Sequence, residues 1–202
     1  MTPGAEEADR LHPGNRAEWR AWLTERHRGS DGVWLVFWRR QSGRTGLSYE
    51  EAIQEALCFG WIDGKAAKLD DQRTMLRFSP RKRGSGWARS NKLRVERLLA
   101  DGRMTEAGLA RIEEARRDGS WTRLDAIEDL VVPDDLAAAF ADRPGAREHW
   151  DGFPRSVRRA ALAWIAEAKR PGTRARRVGE TARRAARGER PGPAGSRPRP
   201  RF

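Results

Sequence analysis

The segment Leu57-Cys58-Phe59-Gly60-Trp61-Ile62-Asp63-Gly64 decides the fold, because it joins a predicted helix to a predicted β-hairpin. Before it, Ser48 and Glu51 have the spacing of a capping box, and apolar residues then recur with the period of a helix. This pattern predicts a helix over residues 48–59. Gly60 is suited to end that helix, because glycine readily takes the left-handed conformation that follows a last helical turn.

The flanking segments predict a small sheet. Residues 74–79 alternate apolar and polar side chains, and together with residues 65–69 and the polar turn between them they indicate a hairpin. The run 33–38 is β-branched and aromatic, which predicts a strand buried on both faces. The fold class is therefore α+β, with a small antiparallel sheet covered by predicted helices at 15–27 and 48–59.

The C-terminal half is predicted to be mainly helical. Apolar stripes at the helical period predict helices over residues 88–101 and 105–117, and a short one over 133–140. The most regular stripe in the chain runs over residues 157–168. A last helical stretch, 173–187, is rich in Ala and Arg and poor in large apolar residues.

Changes in composition divide the chain into four parts. A flexible N-terminus is predicted over residues 1–14, an α+β domain over 15–118 and a helical C-terminal region over 119–188. Residues 189–202 are rich in Arg and Pro and cannot bury apolar surface, so they are predicted to form a disordered basic tail. The linker from Gly119 to Pro133 leaves open whether the helical region is a separate lobe.

The sequence contains no sign of export or of a membrane span. Its first residues lack the basic and apolar regions of a signal peptide, and no run of 18 apolar residues occurs. Cys58 is the single cysteine, which excludes an intrachain disulfide and fits a reducing compartment. We therefore predict a cytoplasmic protein with no membrane span.

The net charge of +12 is concentrated in two blocks. Residues 73–103 carry a net +8 and residues 170–202 a net +9, whereas the remaining segments are slightly acidic. Arg outnumbers Lys by 36 to 5, which a GC-rich genome would produce without any selection for phosphate binding. The Arg-rich segments therefore support two interpretations: weak nucleic-acid binding, or a solubilising extension.

Common motifs of catalysis and cofactor binding are absent. The sequence has no P-loop, no GxGxxG after a strand, no HExxH, no GxSxG and no CxxC. His12, His27 and His149 are scattered and lack the spacing of zinc ligands. We predict no cofactor, no metal ion and no catalytic residue. An enzyme that uses Cys58 or Asp63 is the last-ranked hypothesis, because no base or orienting group accompanies either residue.

Polar and aromatic residues cluster after the opening segment. If the hairpin folds back over the helix end, six side chains converge on one site, with cations and a carboxylate around exposed indoles. Such a site suits a small anionic or aromatic ligand, or a protein partner. The predicted ligand-binding residues are Trp61, Asp63, Lys65, Arg77, Arg81 and Trp87.

A structural role is the alternative for several of these residues. Cys58 has no histidine near it in sequence and is typical of a small buried apolar residue. Trp61 is suited to anchor a core, and Asp63 to cap the turn that ends at Gly64. Arg77 lies on the side of its strand opposite the apolar residues, as expected of a solvated face.

Several runs of sequence resemble a bacterial family. They are Leu47-Ser-Tyr-Glu-Glu-Ala52, Glu55-Ala-Leu-Cys-Phe-Gly-Trp-Ile-Asp-Gly64, Arg77-Phe-Ser-Pro-Arg81, Trp87, Gly102-Arg-Met-Thr105 with Gly108, and Lys169-Arg-Pro171 with Thr173-Arg-Ala-Arg-Arg177. Together they cover most of residues 15–190, and on them the chain is similar to the YdeI/OmpD-associated family.

This resemblance implies a role in bacteriocin protection, that is, in tolerance of antimicrobial peptides, and no agreed mechanism or cofactor. The chain departs from the family at Gly172, where an acidic residue is usual, and at Gly179-Glu180-Thr181, which replaces apolar positions. The second departure leaves open whether the last helix docks. The leading hypothesis is a cytosolic ligand- or partner-binding protein, and a nucleic-acid-associated basic protein is the first alternative.

Overall fold

The fold is that of a computed structural model, which describes residues 10–192 as two compact units, 10–122 and 123–192. The predicted α+β class is confirmed, since one sheet is combined with mainly helical structure. Residues 1–9 and 193–202 lie outside the described residues, and they include most of the predicted flexible N-terminus and of the predicted basic tail. In the described part of the chain, no helix is both long and apolar enough to cross a membrane.

A four-stranded sheet with the order β1-β2-β4-β3 forms the centre of the first unit. The hairpin strands pair from Trp61 opposite Pro80 to Lys68 opposite Thr74, with an irregularity between Asp63 and Ala66, so the end of the opening segment belongs to the sheet. Contrary to the predicted antiparallel sheet, the sheet is mixed, because a two-residue strand at its edge runs parallel to β2. The strands are β1 (Arg10–Leu11), β2 (Val33–Trp38), β3 (Trp61–Lys68) and β4 (Arg73–Pro80).

The helices of the first unit all follow the predicted segments. The capping box is present, with the Ser48 hydroxyl accepting from the backbone N–H of Glu51 and the Glu51 carboxylate accepting from that of Ser48. Trp19 is fully buried and donates from its indole N–H to the carbonyl oxygen of Ala52 at 3.1 Å, which holds the first two helices together. The helices are α1 (Arg16–Arg26), α2 (Tyr49–Cys58), α3 (Arg89–Ala100) and α4 (Glu106–Arg117), with a short 3-10 turn at Arg40–Ser42.

The start of α4 packs closely against the end of α2. Thr105, the N-cap of α4, donates from its hydroxyl to the carbonyl oxygen of Cys58 at 2.6 Å and from its backbone N–H at 3.2 Å. Gly108 makes this approach possible, because a Cβ atom at that position would lie 2.3 Å from the same carbonyl oxygen. The orphan carbonyl at the end of α2 is thereby satisfied.

The second unit is helical and has its own core around Trp150, Leu136 and Phe140. The longer helices match predicted segments, whereas α5 and α7 were not predicted because they are too short to show a periodic stripe. The helices are α5 (Asp125–Glu128), α6 (Asp134–Ala141), α7 (Ala146–Gly152), α8 (Arg155–Ala166) and α9 (Pro171–Ala186).

The last helix, α9, docks on this core, which resolves the question that its sequence left open. Val178, Thr181, Ala182 and Ala185 are all buried and lie on one face of α9. These side chains are small, where large apolar ones would be expected. The helix therefore packs with its backbone close to the core of the unit.

Candidate functional site

A cleft of about 500 Å³ opens at the junction between α2 and β3. Its volume lies in the range typical of sites for small organic ligands. One wall is the end of α1, the floor is the junction itself with the end of β4, and the other wall is the first half of α4. The lining residues are His27, Arg28, Phe59, Gly60, Trp61, Pro80, Glu106, Ala107, Ala110 and Arg111.

The floor of the cleft is apolar and well anchored. Trp61 is 1% exposed and donates from its indole N–H to the carbonyl oxygen of His27 at 3.3 Å. Its ring also meets Trp22 edge to face at 5.8 Å, so β3 is tied to the end of α1. Phe59 packs against the His27 ring with centroids 5.1 Å apart. These contacts fix the α1 wall of the cleft against its floor.

Gly60 sets the width of the floor. Its φ of +74° is the left-handed conformation that ends α2, as predicted from the sequence. A Cβ atom at Gly60 would lie 2.6 Å from the Arg111 Cγ and 3.1 Å from the Ala107 carbonyl oxygen. Position 60 therefore requires glycine for two reasons: the backbone has a positive φ, and α4 packs directly against it.

The cleft carries more positive than negative charge. Arg28 is exposed and has no ion-pair or hydrogen-bond partner within residues 10–192. Arg111 is paired with Glu114 at 2.7 Å, and Glu106 lies at the mouth with its side chain exposed. An anionic group entering the cleft would thus find one free guanidinium and one already partly neutralised.

His27 is fixed in one orientation by the backbone of α1. Its Nδ1 lies 2.7 Å from the carbonyl oxygen of Leu23, and since a carbonyl can only accept, Nδ1 carries the hydrogen. Its Nε2 is buried and has no hydrogen-bond partner among the described residues. The lining contains no hydroxyl or thiol side chain that could act as a nucleophile.

Two of the six predicted site residues come together beside this cleft. The Arg81 guanidinium lies over the Trp87 ring at 3.8 Å and donates to the carbonyl oxygen of Gly86 at 2.6 Å. Burial lowers the pKa of Arg81 to about 10, an effect that the nearby Asp63 charge partly offsets. Arg81 is therefore still charged at neutral pH. The cavity that Arg81 and Trp87 line holds only about 10 Å³, the space of one water molecule.

The other predicted residues are spread over the hairpin. Trp61 lies in the floor of the cleft. Asp63 accepts a hydrogen bond from the Tyr49 hydroxyl at 3.2 Å, and Lys65 is exposed at the irregularity in β3. Arg77 is half-buried on β4 opposite Trp34 of β2. The hairpin thus does not gather all six side chains around one cavity, and their role in ligand binding stays a prediction.

The sequence analysis missed a buried ion cluster behind the cleft. Glu55 on α2 is fully buried, and its carboxylate accepts from Arg16 at 2.5 Å, from Arg20 at 2.6 Å and from Arg103. These arginines come from α1 and from the loop before α4, so the cluster joins three segments. A signal was available: Glu55 falls three residues after Ala52, on the apolar face of its helix.

Cys58 lies in the core beside this cluster. Its side chain is fully buried, and burial together with the Glu55 charge raises the pKa of the thiol, although a hydrogen bond from Arg20 acts in the opposite direction. A buried, protonated thiol is a poor nucleophile, so this environment favours the structural interpretation of Cys58. Within residues 10–192, no three His, Cys, Asp or Glu side chains are grouped so that they could hold a metal ion.

Two family profiles match the chain in succession. Residues 11–111, half of the chain, match the family described as Domain of unknown function (DUF8412), and this segment includes the whole cleft. Residues 129–188 match the family described as Bacteriocin-protection, YdeI or OmpD-Associated, and this segment includes α6 to α9. No curated protein and no solved structure matches the chain.

Proposed function

We propose that the first unit, through which the chain belongs to the DUF8412 family, binds a small organic anion with an apolar body. The second unit matches the YdeI/OmpD-associated family. The observation that carries this proposal is the cleft, whose apolar lining includes Arg28, a cation without a partner among residues 10–192.

The shape of the cleft supports a ligand with an apolar body. Phe59, Pro80, Ala107 and Ala110 present carbon atoms to a space of about 500 Å³. Burial of apolar ligand surface contributes about 25 cal/mol per Å², so an aromatic ring that covers this floor would gain most of its affinity there.

The charges of the cleft support an anionic group on that ligand. Arg28 offers a free guanidinium, whose planar donors suit a carboxylate, sulfonate or phosphate. Glu106 at the mouth would repel the anion if it bound at the far end of the α4 wall. We therefore place the anionic group beside Arg28 and the apolar body toward Ala110.

The biological setting is proposed from the family. The description of the second match names bacteriocin protection, and this supports a role in tolerance of antimicrobial peptides. The single cysteine, Cys58, fits a reducing compartment, and this supports a cytoplasmic place of action. We propose that the protein contributes to this tolerance from inside the cell, by binding a ligand in its cleft.

A fluorescent aromatic sulfonate, 8-anilinonaphthalene-1-sulfonate, tests the cleft directly. Its emission rises when it moves from water to an apolar site, and it combines the ring and the anion that the cleft suits. We expect saturable binding to the folded protein. Arg28→Gln should weaken binding about 5- to 10-fold, since a charge-assisted hydrogen bond contributes roughly 1–1.5 kcal/mol.

Two tryptophan substitutions on α4 supply a matched control. Ala110→Trp places a large side chain in the cleft and should abolish probe binding, whereas Leu109→Trp lies outside the lining and should retain it. Both variants must unfold cooperatively in urea with midpoints close to that of the wild type, because this dye also binds partly unfolded proteins. Equal binding by the two variants would show that the probe does not occupy the cleft and would overturn the proposal.

A further inference from the structure

The second unit has a strongly uneven distribution of charge. Residues 123–152 carry eight acidic side chains and three arginines, whereas residues 153–192 carry three acidic side chains and twelve arginines and lysines. The first segment thus has a net charge of −5 and the second of +9. A GC-rich genome would raise the arginine content of both segments alike, so composition alone does not explain this separation.

Helix α9 presents part of this charge in a single row. Arg176, Arg183 and Arg187 are exposed, and at 100° per residue they fall within about 40° of one another around the helix axis. At 1.5 Å per residue the row is about 16 Å long. Arg176 and Arg187 form no ion pair or side-chain hydrogen bond with any described residue, and Arg183 pairs only with Glu180 on the same helix.

Other arginines of α9 are occupied by the fold. Arg174 pairs with Asp135 of α6 at 2.7 Å. Arg177 stacks over the Trp164 ring at 5.1 Å and donates to the Trp164 carbonyl oxygen. The helix therefore has two classes of arginine, one that fastens it to its neighbours and one that faces outward.

Small residues beside the arginine row leave room for a partner. Gly172 and Gly179 lie next to the row, and a Cβ atom at either would meet nothing within 4 Å. Ala175, between them, is exposed. The backbone of a rigid partner can therefore approach α9 closely, and the longer arginine side chains can contact that partner from the side.

We propose that this face of α9 binds the phosphodiester backbone of a duplex nucleic acid without reading its sequence. A row of about 16 Å spans roughly five phosphates of one strand, at 3.4 Å each along the duplex axis. The outer face of α9 carries no aromatic side chain that could stack on single-stranded bases and no large apolar side chain that could enter a membrane. It also carries no Asn or Gln that could pair with an adenine edge.

Fluorescence anisotropy with a labelled 20-base-pair DNA of arbitrary sequence tests this proposal on the full chain. Binding should weaken steeply between 50 and 200 mM salt, because each phosphate contact releases counterions. The triple variant R176Q/R183Q/R187Q should bind at least tenfold more weakly at 50 mM salt, and the slope of log K against log salt should fall by about 2 to 3. Unchanged binding by this variant would overturn the proposal.

A matched variant separates the effect of the α9 arginines from the effect of a lower net charge. R26Q/R40Q/R97Q removes three exposed arginines of the first unit and lowers the net charge by the same amount. It should keep most of the affinity and of the salt slope. If both triple variants lose affinity equally, the binding reflects the overall net charge, and the proposed site on α9 is refuted.

Other polyanions complete the test. Duplex RNA of the same length should also bind, and the ratio of the two affinities tells which duplex fits the face better. Single-stranded DNA, polyglutamate and vesicles with anionic lipids should bind more weakly than either duplex. Equal affinity for polyglutamate or for the vesicles would refute duplex recognition.

Discussion

Two groups of arginines, one in each unit, have opposite roles. In the first unit, Arg16, Arg20 and Arg103 converge on the buried carboxylate of Glu55 and fasten three segments together. In the second unit, the outer row of α9 points to solvent, and within the described residues only Arg183 of this row has a partner. The number of arginines in a sequence therefore says little about how many are available to a partner. A single buried acid, Glu55, makes the first group structural.

The substitution Glu55→Gln should have the largest effect, because it removes the acid that makes this cluster structural. Breaking a buried ion pair typically costs about 3–5 kcal/mol, since the remaining charge is left uncompensated. The three arginines are about a third exposed, with side-chain exposures of 27%, 36% and 30%. Solvent lowers the cost accordingly, and we expect a loss of roughly 3 kcal/mol in the free energy of unfolding, measured by urea denaturation.

Glu50→Gln is the matched control on the same helix. Glu50 pairs with Arg94, but its side chain is 48% exposed, so its removal should cost less than about 1 kcal/mol. Similar losses for the two variants would mean that Glu55 is no more important than a surface ion pair. The contrast between the buried cluster and the outer arginine row would then fail.

The second test concerns the close packing that accompanies the buried cluster. Gly108→Ala would place a Cβ atom 2.3 Å from the Cys58 carbonyl oxygen, which α4 cannot accommodate without moving. Overpacking of this kind costs about 1–3 kcal/mol. We expect a loss of roughly 2 kcal/mol by urea denaturation, together with weaker binding of the anilinonaphthalene probe, because α4 forms one wall of the cleft.

The corresponding change on α9 should have the opposite sign. Gly179→Ala adds a Cβ atom in open space, and alanine favours a helix over glycine by about 0.5–1 kcal/mol. The variant should therefore be slightly more stable. A loss of stability in Gly179→Ala would show that the outer face of α9 is packed against something, contrary to the open row of the structure.

The sequence predicted most of the elements but did not indicate the cleft, for physical reasons. Helices α1, α2 and α8 carry their caps and stripes within one short segment, so local patterns suffice to find them. The cleft combines His27, Trp61 and Arg111, which lie on three elements far apart in sequence. No local pattern reports that such residues meet. The predicted group of six followed sequence proximity, and the hairpin carries them to different places.

The edge strand and the short helices escaped prediction for a related reason. Strand β1 has two residues, too few for any alternation, and it forms only because β2 offers a free edge. The docking of α9 could not be judged from apolar content, because its buried side chains are mostly small. Only the structure of the second unit shows that side chains as small as Thr181 and Ala182 suffice to dock α9 on its core.

The smallest effect is expected at the surface pair between Asp135 and Arg174, which fastens α9 without burial. The hydrogen bond from Arg174 lowers the pKa of Asp135. A carboxyl group whose pKa is lower in the folded protein stabilises the fold at pH values above its unfolded pKa, about 3.9. This contribution is lost as the pH falls through the folded pKa.

Arg174→Gln should cost only a few tenths of a kcal/mol at pH 7, because the pair is well exposed. Thermal unfolding of the wild type and of this variant should differ slightly at pH 7, and the difference should disappear once the pH falls below the lowered pKa of Asp135 in the folded protein. A difference that persists in acid would mean that Arg174 acts through packing of its side chain and not through charge.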